Sequence, residues 1–411
     1  MNNDIRKYAL VTAAYWGFTL TDGALRMLAL LHFHGLGYSP FEIALLFLFY
    51  EFFGVVTNLI GGWIAALVGL KATLFAGLTL QVIALSLLAL FDPAWPGVIG
   101  VAYVMAMQAL SGIAKDLTKL SSKSAVKLVV PKDEHSTLFK WVAVLTGSKN
   151  ALKGIGFFMG GALLSWLGFS GALIVMAGGL AIILVLTMIS LRGDLGQASS
   201  KVKFSQILSK SADINWLSGA RFFLFGSRDI WFVVGLPLFL AVTMSWDHLQ
   251  VGGYMAAWVI AYGLVQAAAP KLLKRSGGVP GGALSRRWIV ILILVTIAIS
   301  VAVQTGIAPG LSVVFGLLVF GFVFAVNSAI HSYLVLAYSE ADHVSLNVGF
   351  YYMANAGGRL VGTLLSGLMY QWGGLILCLS VSAAFLMASW LLSLALPTVT
   401  GELQKPLAGP T

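Results

Sequence analysis

Apolar runs of about twenty residues recur along the whole chain, separated by short polar or basic stretches. At 1.5 Å of rise per residue, a helix of that length crosses the ~30 Å hydrocarbon core of a bilayer. Lipid offers no partner to an open strand edge, so such runs must be helical. The pattern predicts twelve spans, at 8–34, 39–68, 72–91, 97–121, 138–167, 170–191, 215–243, 248–270, 288–306, 310–337, 345–371 and 373–396. Two helix starts are legible in detail. Ser39-Pro40-Phe41-Glu42 reads as a capping box with proline at the first helical position, and Asp247-His248-Leu249-Gln250 offers the same geometry. The expected fold class is all-α, a polytopic membrane protein.

Composition narrows this further. Only 10% of residues are charged and 59% are apolar, against about 25% charged in soluble domains, and no segment is long enough to form a separate soluble domain. The net charge of +10 raises the question of nucleic acid. The positions of the charges answer it: most Lys and Arg residues, among them Arg6, Lys7, Lys71, Lys123, Lys127, Arg192, Lys201, Lys274, Arg286 and Lys405, fall in the termini or in alternate loops. Basic loops stay on the cytoplasmic side, so both termini are expected there and no nucleic-acid partner is expected. The first apolar stretch contains Asp22 and Arg26 and lacks a small-residue cleavage site, so it reads as a span and not as a removed signal. The lone cysteine, Cys378, reads as a small core residue. His32 and His34 sit at i, i+2 near a helix end, and no metal site or cofactor is expected.

The chain also looks duplicated. Lys153-Gly-Ile-Gly156, Trp166 and Gly168 recur 206 residues later as Arg359-Leu-Val-Gly362, Trp372 and Gly374. Phe18 and Asp22 recur 207 later as Phe225 and Asp229, and the two capping boxes are 208 apart. Two six-helix bundles are expected, 1–191 and 215–411, joined by a charged cytoplasmic linker at 192–214 and ending in a short cytoplasmic tail. Internal repeats of this kind are common in secondary transporters.

Eight cations (Arg26, Lys115, Lys119, Lys149, Lys153, Arg221, Arg228, Arg359) and four carboxylates (Asp22, Glu51, Asp116, Asp229) lie inside predicted spans. Exposed to lipid, they would cost on the order of 30 kcal/mol, above the ~5–15 kcal/mol by which proteins are usually stable. They must face a protein interior that holds water or a ligand. Helical spacing gathers them into stripes: Gln108, Ser111, Lys115, Lys119 and Ser122; Thr146, Lys149, Asn150 and Lys153; Ser218, Arg221, Phe225, Arg228 and Phe232; Tyr352, Asn355 and Arg359; Asn327 and His331. Asp22 and Arg26 stand at i, i+4 and are positioned to pair within one helix, Glu51 and Asn58 read as a proton site or a hydrogen-bonded pair, and Asp116 is expected to neutralise a lysine beside it. The surplus of positive charge points to an anionic ligand, since arginine suits bidentate oxyanion contact and lysine supplies a point charge.

The quoted architecture resembles the major facilitator superfamily. Its signature between the second and third spans is met by Gly62, Gly69 and Lys71, with Ala66 and Leu70 standing where an aspartate and a basic residue are usual. The fourth-span antiporter pattern has Gln108 where an arginine is usual, four before Gly112. Longer stretches, YWGFTLTDGALRMLALLHFHGLGYSP, FLFYEFFGVVTNLIGGW, QALSGIAKDLTKLSSKSAVKLVVP, LTGSKNALKGIGFFMGGALL and RFFLFGSRDIWFVVGLPLFL, are similar to the ArsJ branch. That resemblance implies a bacterial inner-membrane exporter of 1-arseno-3-phosphoglycerate, an anionic organoarsenical, acting in arsenate resistance. It also implies a functional partnership with glyceraldehyde-3-phosphate dehydrogenase, which makes the ester when arsenate replaces phosphate.

The expected mechanism is alternating access, with no catalytic residues and a monomer as the default state. Arg26, Lys115, Lys153, Arg228 and Arg359 would bind the anion, with hydrogen bonds from Asn150, Asn327, His331, Tyr352 and Asn355. Asp22, Glu51, Asp116 and Asp229 would pair with the cations or couple protons, and Lys119, Lys149 and Arg221 would line the pathway. The alternatives are an organophosphate or sugar-phosphate exchanger or another proton-coupled anion transporter of the superfamily. More remote is an intramembrane enzyme or ligand sensor, for which no positioned nucleophile or output domain is legible.

Overall fold

A computed structural model of the 411-residue chain describes residues 3–125, 135–191, 211–274, 281–338 and 344–397. Most of the expected linker and the tail, with loop residues such as Lys127, Arg192, Lys201 and Lys405, lie outside the described residues. Within them the protein is helical: α1 (Asn3–Gly35), α2 (Pro40–Leu46), α3 (Leu48–Val68), α4 (Leu70–Leu88), α5 (Gly97–Ala125), α6 (His135–Ser190), α7 (Ala212–Phe232), α8 (Gly235–Leu238), α9 (His248–Lys274), α10 (Gly282–Gln304), α11 (Pro309–Ala337) and α12 (Val344–Ser393). A π-helical turn at Phe239–Thr243 continues α8.

These elements cover every expected span. α2 and α3 run on through Phe47, whose backbone stays helical, as one traverse. α7, α8 and the π turn make another, and α7 begins at Ala212, inside what the sequence suggested was linker. α6 and α12 each hold two spans joined without a loop. The turn is made at Gly168, with φ 69°, in α6 and at Gly373 and Gly374, the latter with φ 62°, in α12. Side chains other than glycine are disfavoured at such positive φ, so both reversals depend on it. They fall 206 positions apart, the offset of the repeat. The capping boxes form as read: Ser39 Oγ accepts from Glu42 N while the Glu42 carboxylate accepts from Ser39 N, and Asp247 and Gln250 exchange the equivalent bonds.

Helix contacts rest on glycine. A methyl group at Gly156 or Gly160 would lie 2.6 or 2.4 Å from the Leu20 or Ala24 carbonyl, so α1 and the first arm of α6 touch backbone to backbone. α7 and the first arm of α12 do the same. A methyl at Gly358 would lie 2.0 Å from the Phe222 carbonyl, and one at Gly362 would lie 2.7 Å from Gly226 O. Two further seams join the α1–α6 set to the α7–α12 set. α6 meets α9 at Gly161 against His248 O, and α2 meets α12 at Gly367 against Pro40 O. The large apolar side chains left outside, such as Ile174, Ile182, Leu264, Leu294 and Phe315, form the surface that lipid would cover. Cys378 is fully buried in the apolar core, as read.

Gly358 offers a direct check. Gly358→Ala forces α7 and α12 apart and is expected to cost about 1–3 kcal/mol, as overpacking does. A thermal scan in detergent should show a lower midpoint for it and no change for Gly178→Ala, where an added methyl meets nothing within 4 Å.

Candidate functional site

The intramembrane charges converge where α1, α3, α5, α6, α7 and α12 face one another. Gly23 and Gly156 let α1 and α6 approach so closely that Lys153 Nζ reaches Asp22 Oδ2 at 3.4 Å. Tyr50 of α3 donates to the other oxygen of Asp22 at 2.5 Å. On the opposite side, Gly226 and Gly362 bring Asp229 of α7 beside Arg359 of α12, with Arg359 Nε donating to Asp229 Oδ2 at 3.0 Å. Arg228 Nε donates to Asp229 Oδ1 at 2.7 Å, and its Nη2 contacts the same oxygen.

Glu51 joins the two sides. Its Oε1 accepts from Arg26 Nη2 at 2.6 Å and from Arg359 Nη2 at 2.6 Å, and its side chain is 1% exposed. Arg26 belongs to α1 and Arg359 to α12, so one buried carboxylate bridges helices more than 300 residues apart in sequence. Lys115 lies 3.9 Å from the centre of the Tyr50 ring and 3.8 Å from Asp116 Oδ2. Lys119 holds Asp116 Oδ1 at 2.5 Å and Asn58 Oδ1 at 2.6 Å. Gly54 makes room for this crossing, since a methyl there would lie 3.3 Å from both Lys115 Nζ and Asp116 Oδ2.

A second polar group lies on α7, α9, α11 and α12. Arg221 Nε donates to Asn355 Oδ1 at 2.8 Å, and its Nη1 reaches Ser328 O and Oγ at 3.3 and 3.2 Å. Gln266 of α9 donates to Ser328 Oγ and accepts from Asn150 of α6 at 3.1 Å. Lys149 and Tyr352 are half-buried on the same helices, α6 and α12. Asn327 and His331 are fully buried and both contact Ser285 of α10, at 3.1 and 2.9 Å.

Several pairings differ from the sequence reading. Arg26 does not close on Asp22 one turn earlier; it reaches across to Glu51, while Tyr50 and Lys153 occupy Asp22. Glu51 and Asn58 take different partners, two arginines and Lys119. The α5 stripe divides, because Ser111 turns to Gln81 of α4 while Lys115 and Lys119 face α3. His32 stacks on Phe169 at 4.0 Å. Tyr50, Gln266 and Ser328 were not singled out from the sequence. Tyr50 had a signal, a hydroxyl beside the only carboxylate in FLFYEFF.

Among the described residues, each of the four intramembrane carboxylates is therefore engaged by at least one cation, and six of the eight intramembrane cations share them: Arg26, Lys115, Lys119, Lys153, Arg228 and Arg359. The arrangement can exchange a carboxylate for another oxyanion without moving its cations far. The seam between α6 and α9 runs from Gly161 against His248 O at one end to Asn150 against Gly263 and Gln266 toward the other, and α2 meets α12 at Gly367 against Pro40 O.

No curated protein matches the sequence. The sequence profile of the Major Facilitator Superfamily matches residues 9–281, about two thirds of the chain. With its all-helical, membrane-spanning architecture and a charged interior between packed helices, the chain belongs to the Major Facilitator Superfamily and is a multi-pass secondary transporter.

Proposed function

We propose that the protein exports a small, strongly anionic ester by alternating access, and that its cargo is the arsenate ester 1-arseno-3-phosphoglycerate. The observation that carries this reading is the charge balance of the buried network. Four carboxylates pair six of the eight intramembrane cations, so an entering oxyanion supplies negative charge that the network lacks. Arg26, Lys115, Lys153, Arg228 and Arg359 hold the anion, and Asp22, Glu51, Asp116 and Asp229 take them back when it leaves. The chemistry favours a pentavalent oxyanion over trivalent arsenic. Trivalent arsenic calls for clustered thiolates, and the single cysteine is buried in the core. The choice of arsenate over phosphate ester, and of export over import, rests on the resemblance to the ArsJ branch.

Glu51 gives this reading a mechanism. Arg26 and Arg359 compete for one carboxylate, and a substrate oxyanion that takes Arg359 frees the two sets of helices to rock about the site. With the basic loops in the cytoplasm, the end of the bundle that carries Gly161 and Gly367 faces outward.

Everted membrane vesicles supplied with glyceraldehyde-3-phosphate dehydrogenase, its aldehyde substrate, NAD and arsenate should accumulate arsenic only when the transporter is present. Uptake of phosphate esters with no uptake of arsenic would instead show an organophosphate exchanger. Arg228→Gln and Lys115→Gln should each reduce flux at least tenfold, since one charge-assisted contact is worth about 1.5–3 kcal/mol. Membrane insertion, read by fluorescence-detected size exclusion, should stay normal. Native flux in both variants would refute the assignment.

A Gly161→Val change should hold the seam between α6 and α9 apart. A cysteine at Val251, fully buried one turn along α9, in a Cys378→Ser background, would then label from the outside. Unchanged protection would contradict the proposed orientation of that end.

A further inference from the structure

Arg221 differs from the other buried cations of known partnership. Its side chain is buried, with the residue 4% exposed, yet among the described residues no carboxylate lies within ion-pair distance of it. Neutral groups surround it: Asn355 Oδ1, Ser328 O and Oγ, the Phe225 ring at 3.7 Å and the Tyr351 ring at 5.1 Å. A guanidinium kept from water with only neutral partners lacks its counter-charge. Polar atoms nearby are also unsatisfied. Among the described residues, Ser218 Oγ, one turn before Arg221 on α7, has no hydrogen-bond partner. Nor do Asn327 Nδ2 and His331 Nδ1, on the helix that carries Ser328.

The second observation is where Arg221 stands relative to the main cluster. Arg221 and Arg228 are two helical turns apart on α7 and flank one ring. The Phe225 centroid lies 3.7 Å from the Arg221 guanidinium carbon and 5.1 Å from that of Arg228. The two guanidinium carbons are therefore no farther apart than those distances added together. That span matches a ligand with two oxyanion heads on a chain of a few atoms.

We propose that Arg221, with Asn355 and Ser328, forms a second anion subsite that takes one head of a two-headed substrate while Arg228 and Arg359 take the other. The two subsites differ in kind. A head entering at Arg228 or Arg359 must displace Asp229 or Glu51, whereas a head entering at Arg221 displaces no carboxylate. Arg221 is then the site where a doubly anionic ligand gains affinity without competition, and the short spacer is what the transporter measures. This rests on the anion-transport reading above and deepens it by assigning the residues that hold the second head.

The test compares two probes on purified protein. 3-Phosphoglycerate carries a phosphate and a carboxylate; glycerol 3-phosphate carries the phosphate alone. Native protein should bind the first at least tenfold more tightly by calorimetry. In Arg221→Gln the ratio of the two dissociation constants should fall to near one. Asn355→Asp keeps the size of the side chain and supplies Arg221 with a carboxylate, so the same collapse is expected there even if Arg221→Gln fails to fold. A ratio that persists in either folded variant overturns the second subsite. Equal binding of both probes by native protein overturns the subsite and leaves the anion-transport reading standing. Binding of neither probe overturns both.

Discussion

One carboxylate shared by two arginines holds the centre of this protein together. Glu51 is 1% exposed, so its charge must be met by protein groups. Arg26 from α1 and Arg359 from α12 meet it at equal distance. Arg359 in turn shares Asp229 with Arg228, and Asp22 is held by Lys153 and Tyr50. A cation in this cluster that changes partner obliges the next to change as well. Such coupling suits a transporter, because binding at one point redistributes contacts that span both sets of helices.

The glycines make the cluster possible. Gly23, Gly156, Gly226, Gly358 and Gly362 draw backbones into contact around the charged side chains. Short approaches exclude water and keep ionic partners within reach. The close backbone seams at Gly161 and Gly367 belong to the same design, since a surface of bare backbone separates with little side-chain interlock to undo. Packing and electrostatics thus serve a single purpose: a tight bundle whose interior ions are mostly paired and short of negative charge.

Much of the fold was legible because lipid constrains it so strongly. Apolar run length set the spans, and both capping boxes formed as their spacing implied. The glycines at 168 and 374 that stood out in the repeat are the points where α6 and α12 reverse. The site was legible only in part. Helical period tells which face a residue occupies and not what stands opposite. Asp22 and Arg26 share a face, yet each found a stronger partner across a helix contact. Ser111 shares spacing with Lys115 but turns into the α4 interface. Tyr50, Gln266 and Ser328 carry no formal charge, so nothing in composition separated them from core polar residues, although they order the charged side chains.

The central claim is that Glu51 and an incoming oxyanion compete for Arg26 and Arg359. Equilibrium binding of 3-phosphoglycerate to purified Glu51→Gln protein tests it most directly. Removing the competing charge while keeping the shape should tighten binding by about tenfold, or about 1.4 kcal/mol, even though turnover falls. Binding unchanged or weaker than native in a correctly folded variant would contradict it.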